Sequence, residues 1–286
     1  MTSDFLSLLT ADDTAGGDGG GRVRAVAFEC LVSGIIDERA VSVLRLAGFD
    51  GDFGCFAIAG RPADGGGAGA AIATIRQAVH DLGGSEPLTG VHDGAVVALI
   101  RLEAAVRPEA TCTAVSKAFA PGTPICLGPT RRGVEGASIA MRAALTTLAA
   151  APALSNTALS NTALRHTPVP SRATAHRPIV LHAEDALPER AMLGDQEARR
   201  ELVDEVYAEL LGNSDDDPTM LTVATFLESG GSLEVTARAL SIHPNTVRYR
   251  LKRMADTTGW DATDPRDAFV LTCAIALGRI AQHSRL

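Results

Sequence analysis

The sequence predicts an α+β domain followed by an all-α domain. Three observations carry this reading. Between residues 22 and 150, helical and strand periodicities alternate, with an Asp-Gly turn between two apolar runs. Between 151 and 177 the periodicity stops, and a tandem repeat, Ala-Leu-Ser-Asn-Thr at 153–157 and again at 158–162, is followed by prolines. From residue 195 every apolar pattern has the helical period, and two of the helices are separated by only three residues.

The elements follow in order. Residues 1–21 hold four acids, no base and a closing Gly-Gly-Asp-Gly-Gly-Gly, the composition of a disordered tail. Val23, Val26, Ala27, Cys30 and Leu31 recur at helical spacing. Asp37 is a candidate N-cap for a second helix, with the stripe Ala40, Val41, Leu44, Leu46 and Ala47 and a stop at Gly48. Residues 52–61 read as a strand, 70–82 as an amphipathic helix, and 88–91 with 95–102 as a hairpin around His92-Asp93-Gly94. A helix is expected over 113–120, a short strand over 124–128 and an alanine-rich helix over 138–151. Residues 151–177 are expected to form a flexible insertion, and 178–217 a connecting strand and helix. The last domain, 218–286, contains helices over 220–228, 233–240, 244–258 and 268–281.

Composition limits what such a chain does. Across 286 residues, 46% are hydrophobic and only 4% aromatic, so the cores are aliphatic. A net charge of −8 excludes general coating of nucleic acid and requires any DNA contact to gather its positive charge in one place. The five cysteines are scattered without a C-x-x-C pair, which suits reduced, buried thiols. No signal peptide and no apolar run of membrane-spanning length is present, so a cytoplasmic protein with no membrane partner is expected. The seven histidines show no metal spacing, and no metal or cofactor is expected. Gly65-Gly66-Gly67 and Gly69 precede a helix but lack the spacing and the lysine of a phosphate loop, and read as a plain turn.

The positive charge gathers between residues 232 and 259. Ser232 is placed to cap a short helix, Ser241-Ile242-His243 forms a tight turn, Pro244 stands at the first position of the next helix, and Gly259 closes it. Laid out at about 100° per residue, Val247, Leu251 and Met254 form one narrow stripe. Asn245, Tyr249, Lys252 and Arg253 fall opposite, Thr246 and Arg248 flank them, and Arg250 lies at the boundary, fit either to brace the fold or to reach a phosphate. Between Glu234 and Asp256 there are five bases and no acid. A basic arc alone describes any solvated helix face. A tight turn, a proline at the helix start and a polar first turn describe a helix-turn-helix whose second helix reads the DNA major groove.

Residues 240–254, Leu-Ser-Ile-His-Pro-Asn-Thr-Val-Arg-Tyr-Arg-Leu-Lys-Arg-Met, with Thr-Gly-Trp at 258–260 and Asp264-Pro265, resemble the C-terminal helix-turn-helix of PucR/CdaR-type transcriptional regulators. Pro188-Glu189-Arg190-Ala191 and the helix after it are similar to the preceding segment in a subgroup that includes actinobacterial activators of fatty-acid-synthesis genes. The α+β domain resembles the degenerate GGDEF-like domain of the same regulators. Longer members carry a sensory module ahead of this point, whereas almost nothing precedes residue 22 here. The resemblance implies a degenerate α+β GGDEF-like domain followed by an all-α helix-turn-helix domain. It further implies promoter DNA as partner and assembly as a homodimer or higher oligomer. Active GGDEF cyclases need paired acids on the hairpin. Here it reads Gly90-Val91-His92-Asp93-Gly94, so no enzyme activity is expected. The DNA-contacting residues are expected to be Ser232, His243, Asn245, Thr246, Arg248, Tyr249, Arg250, Lys252 and Arg253. A second reading makes the α+β domain a sensor for a small-molecule effector, a nucleotide or an acyl-CoA.

Overall fold

A computed structural model describes residues 19–63, 65–154, 178–211 and 217–283. Most of the expected tail, the tandem repeat beyond Leu154 together with His166 and His176, and most of the acidic hinge lie outside the described residues, while Ala151–Ala153, expected within the insertion, form a 3-10 turn. The chain divides into two units between Ala186 and Leu187. The expected connector, 178–217, is split by this boundary, its strand belonging to the first unit and its helix to the second.

The N-terminal unit is built on a mixed sheet. Its strands are β1 (Gly54–Gly60), β2 (Leu88–His92), β3 (Ala95–Arg101), β4 (Ile125–Leu127), β5 (Arg131–Arg132) and β6 (Val180–His182), and the order is β2-β3-β1-β4-β6, with β5 also on β1. Only β4 and β6 run parallel; the other pairs are antiparallel. The two-residue period of a strand sends alternate side chains to opposite faces. Cys55, Ala57, Ala59, Val97 and Leu99 pack beneath α1 (Gly19–Val32), α2 (Glu38–Leu46) and α5 (Gly133–Ala150). Phe56, Ile58, Val96, Ala98 and Ile100 pack beneath α3 (Gly67–Asp81) and α4 (Pro108–Ala114). With helices on both sides, β1 and β3 are apolar along nearly their whole length. The hairpin turns at Asp93 and Gly94, both with positive φ, as a two-residue type I′ turn requires. One close approach is decisive: a Cβ on Gly128 would lie 2.1 Å from the carbonyl oxygen of Ala140 in α5.

Several expectations need correction. Helix α1 begins at Gly19, inside the stretch expected as tail, because Val26, Phe28 and Leu31 anchor a helix that its glycines can extend. The helix expected at 113–120 is instead α4, starting at Pro108, where a missing N–H is harmless, and it is followed by a 3-10 turn at Ser116–Ala118. Leu46 does not join the stripe of α2: it is 76% exposed, because Ala40, Leu44 and Ala47 already define the inner face. Strand β5 was not expected, since two arginines carry no apolar alternation. The cysteines Cys30, Cys55, Cys112 and Cys126 are buried in this unit, while Cys273 of the second unit is half-buried. Burial pushes the Cys55 and Cys112 thiols up to about 12.

The described residues of the C-terminal unit contain no strand. They comprise α6 (Leu187–Met192), α7 (Gln196–Glu201), a π-helical stretch (Leu202–Tyr207), α8 (Ala208–Leu211), α9 (Thr219–Glu228), α10 (Leu233–Ala239), α11 (Pro244–Thr258) and α12 (Pro265–His283). Leu202, Val206, Leu210, Val223, Phe226, Leu251, Leu271 and Ile275 are among the residues of one core. The π-helical stretch carries Tyr207 against α12, where Gly278 leaves room for the ring, and Tyr207 Oη bonds Gln282 Oε1 at 3.0 Å. Arg190 is fully buried and donates through Nε and Nη2 to Asp195 Oδ2, at 3.0 and 2.9 Å. Asp195 Oδ1 in turn caps α7 through the N–H groups of Glu197 and Ala198. Glu189, next to Arg190, forms a bidentate pair with Arg266 of α12. Leu221 and Ile280, apolar residues of the helices expected over 220–228 and 268–281, are 60% and 62% exposed, because Val223, Phe226, Leu271 and Ile275 take the inward positions.

Candidate nucleic-acid interface

The local chemistry of α10 and α11 sets the candidate interface. Ser232 Oγ accepts the Val235 N–H and starts α10. The helix ends where Ser241 adopts a φ of +55°, while the N–H groups of Ser241 and Ile242 return to the carbonyls of Arg238 and Ala237. Partly buried Ile242 packs on the core and fixes the exit of the turn. His243 then caps α11: its Nδ1 accepts the Asn245 N–H at 3.2 Å. Pro244 occupies the first turn, and Gly259 ends the helix at a φ of +79°.

The stripe of Val247, Leu251 and Met254 is buried and holds α11 in the core. Asn245, Arg248, Tyr249, Lys252 and Arg253 are exposed, and Thr246 is half-buried. Tyr249, at 66% exposure, displays an aromatic ring to solvent amid cationic side chains. Arg248 Nη1 donates to Asn245 Oδ1 at 2.8 Å. Of the expected contact residues, Ser232 and His243 are thus engaged as helix caps. Arg250 is half-buried and donates through Nη1 to the Thr222 hydroxyl of α9 at 3.2 Å, so of the two roles open to it the geometry supplies the brace.

One electrostatic feature escaped the local charge count. Asp217, just before α9, stands close enough to Arg253 and Arg250 to feel both charges. Hydrogen bonds from the Thr219 side chain and backbone, aided by these arginines, hold its carboxyl below the usual carboxylate range. An acid therefore borders the basic face, although none lies in sequence between Glu234 and Asp256. The signal was present as Asp-Pro-Thr before a helical run, but only the fold brings it to α11.

Comparison with known proteins agrees with this geometry. The family described as the PucR C-terminal helix-turn-helix domain matches residues 219–277, and the GGDEF-like domain family matches residues 33–150. The crystal structure of a Regulator of Polyketide Synthase Expression from Bifidobacterium adolescentis is similar with a TM-score of 0.82 and 48% identity, over 97% of this chain and 98% of that one. An uncharacterized protein of Mycobacterium tuberculosis is 47% identical over 107 residues, 37% of this chain and 25% of that protein. The Purine catabolism regulatory protein of Bacillus subtilis is 31% identical over 111 residues, 38% of this chain and 20% of that protein. The matches to these curated relatives thus span a quarter of their length or less. The matches to both domains and the near full-length likeness to a solved regulator together show that this chain belongs to the PucR-type regulators, with a GGDEF-like domain ahead of an all-helical helix-turn-helix region.

Proposed function

We propose that the chain is a sequence-specific regulator of transcription that lays α11 in the major groove of promoter DNA. The observation that carries this reading is the division of α11: a stripe locked in the core, and an opposite face of exposed Arg248, Tyr249, Lys252 and Arg253. Thr246 and Tyr249 meet base edges, Arg248 reads a base with Asn245 bonded beside it, and Lys252 and Arg253 hold phosphates. His243 and Ser232 serve first as caps that fix the two helices and lie near the backbone of the duplex. Arg250 supports α11 through Thr222. A homodimer, which we also propose, sets two copies of α11 on half-sites about 34–36 Å apart. The regulated genes are proposed to be those of fatty-acid synthesis. The similar Bifidobacterium adolescentis protein, a regulator of polyketide synthase expression, supports a target in acyl-chain assembly.

The test separates Lys252 from Arg250. Lys252→Ala should weaken binding to all sequences alike and reduce the dependence of log affinity on log salt by about one unit. Arg250→Ala should instead lower thermal stability, with little change in the salt slope. Footprinting and titration at several salt concentrations measure both. An unchanged slope for Lys252→Ala removes that residue from the phosphate contacts, and a wild-type protein that footprints no promoter removes the proposal.

A further inference from the structure

At the start of α11, two side-chain acceptors, His243 Nδ1 and Asn245 Oδ1, are already engaged within the chain. A guanidinium has no acceptor, so the Arg248–Asn245 bond fixes the amide with its oxygen toward Arg248 and its Nδ2 hydrogens free. His243 Nδ1 is occupied by the Asn245 N–H, which leaves the proton of the neutral ring on Nε2. All three side chains are exposed. The groups they offer to a partner are N–H donors: imidazole Nε2, amide Nδ2 and the remaining guanidinium nitrogens.

The edges of the bases answer this front unequally. Guanine presents two neighbouring acceptors, N7 and O6, whereas adenine sets the N6 donor beside N7 and cytosine presents a donor. An asparagine that reads adenine uses its oxygen for the N6 hydrogens. Here a guanidinium stands against that oxygen and would face those hydrogens with its own. We infer, resting on the groove-reading role proposed above, that Asn245 does not read adenine but positions Arg248, and that the pair reads one guanine in each half-site through N7 and O6. Asn245 is thus a positioning residue, and the base contact belongs to Arg248. His243 Nε2 faces the neighbouring phosphate.

The experiment is selection of duplexes from a randomised pool by the full chain, followed by sequencing. Wild type is compared with Arg248→Ala, Asn245→Ala, Asn245→Asp and the double alanine variant. The wild-type pool should contain a position fixed as guanine. Arg248→Ala should reduce that preference by about 5- to 100-fold. Asn245→Ala should reduce the preference at the same position, and the double variant should add little to either. Asn245→Asp keeps the oxygen that holds Arg248, so guanine should persist while every duplex binds more weakly. Placing 7-deazaguanine at that position should weaken wild type and leave Arg248→Ala indifferent. The inference is overturned if Asn245→Ala erases an adenine, alters a position different from the Arg248→Ala position, or changes nothing. A wild-type pool without any enriched base instead overturns the groove-reading proposal, and this inference with it. Thermal melting checks that the substitutions, all at exposed positions, leave the fold intact.

Discussion

Arg190→Ala should destabilise the C-terminal unit by roughly 3–5 kcal/mol, the range for removing one partner of a buried ion pair. The guanidinium is fully buried, and two of its nitrogens converge on one oxygen of Asp195, whose side chain is only 6% exposed. Removing it leaves a hole the size of an arginine beside a buried carboxylate that keeps its capping bonds to α7 but loses both guanidinium bonds. Neighbouring Glu189 transmits the change, because its pair with Arg266 ties α6 to α12. Arg190→Met, which refills much of the volume, should cost less than alanine. Arg190→Lys should not rescue fully, because a point charge cannot reproduce two guanidinium bonds to one oxygen. Urea titration followed by circular dichroism measures all three. A loss under about 1 kcal/mol for alanine would place the pair with the weak surface bridges and sink the argument.

Gly128→Ala should carry the second large penalty, in the N-terminal unit. The new methyl would sit 2.1 Å from the Ala140 carbonyl oxygen and 3.0 Å from its carbon, so α5 must move off the sheet. Overpacking typically costs about 1–3 kcal/mol, and a clash with main chain belongs at or above the top of that range. Ala140→Gly cannot relieve it, since the atom in the way is not the side chain. Gly60 offers the contrast: there the added carbon would meet the Phe119 ring at 2.5 Å, and a smaller residue at 119 makes room. Thermal denaturation should show no recovery when Ala140→Gly is added to Gly128→Ala, the double variant melting at or below the single one, since glycine inside α5 itself costs about 1 kcal/mol. A recovery in the double variant would show that the side chain, not the backbone, sets the limit.

The helix-turn-helix was legible in the sequence because its determinants are local. Pro244 at the start, Gly259 at the left-handed end and the stripe of Val247, Leu251 and Met254 lie within one helix and obey its period. The hairpin was legible for the same reason, through Asp93-Gly94. What stayed hidden depends on partners distant in sequence. Thr222 meets Arg250 across 28 residues, and nothing in either segment announces the other. Asp217 joins the border of the basic face only once α9 is docked on α11. The central place of β1, between β3 and β4, follows from register rather than from its own residues, and β5 has no apolar pattern at all. Leu46, Leu221 and Ile280 mark a related limit: periodicity identifies apolar residues but not which of them the partner element leaves room to bury. Within the candidate interface, the positions on α11 could be read in advance, but the bond between Arg248 and Asn245 could not, because a helical layout shows neighbours and not the direction of an amide.

The sequestered thiols give the sheet unit an internal clock. An alkylating reagent attacks thiolate, and neither Cys112 nor Cys126, both buried with raised thiols, offers any until the sheet unit opens. Cys273, only half-buried on α12, needs no such opening and reacts from the folded helical unit. Under conditions where reclosing outruns alkylation, the modification rate at each buried cysteine reports the free energy of its own opening. Peptide mass spectrometry of a timed alkylation therefore follows the breathing of the sheet unit, with Cys273 as the fast internal reference.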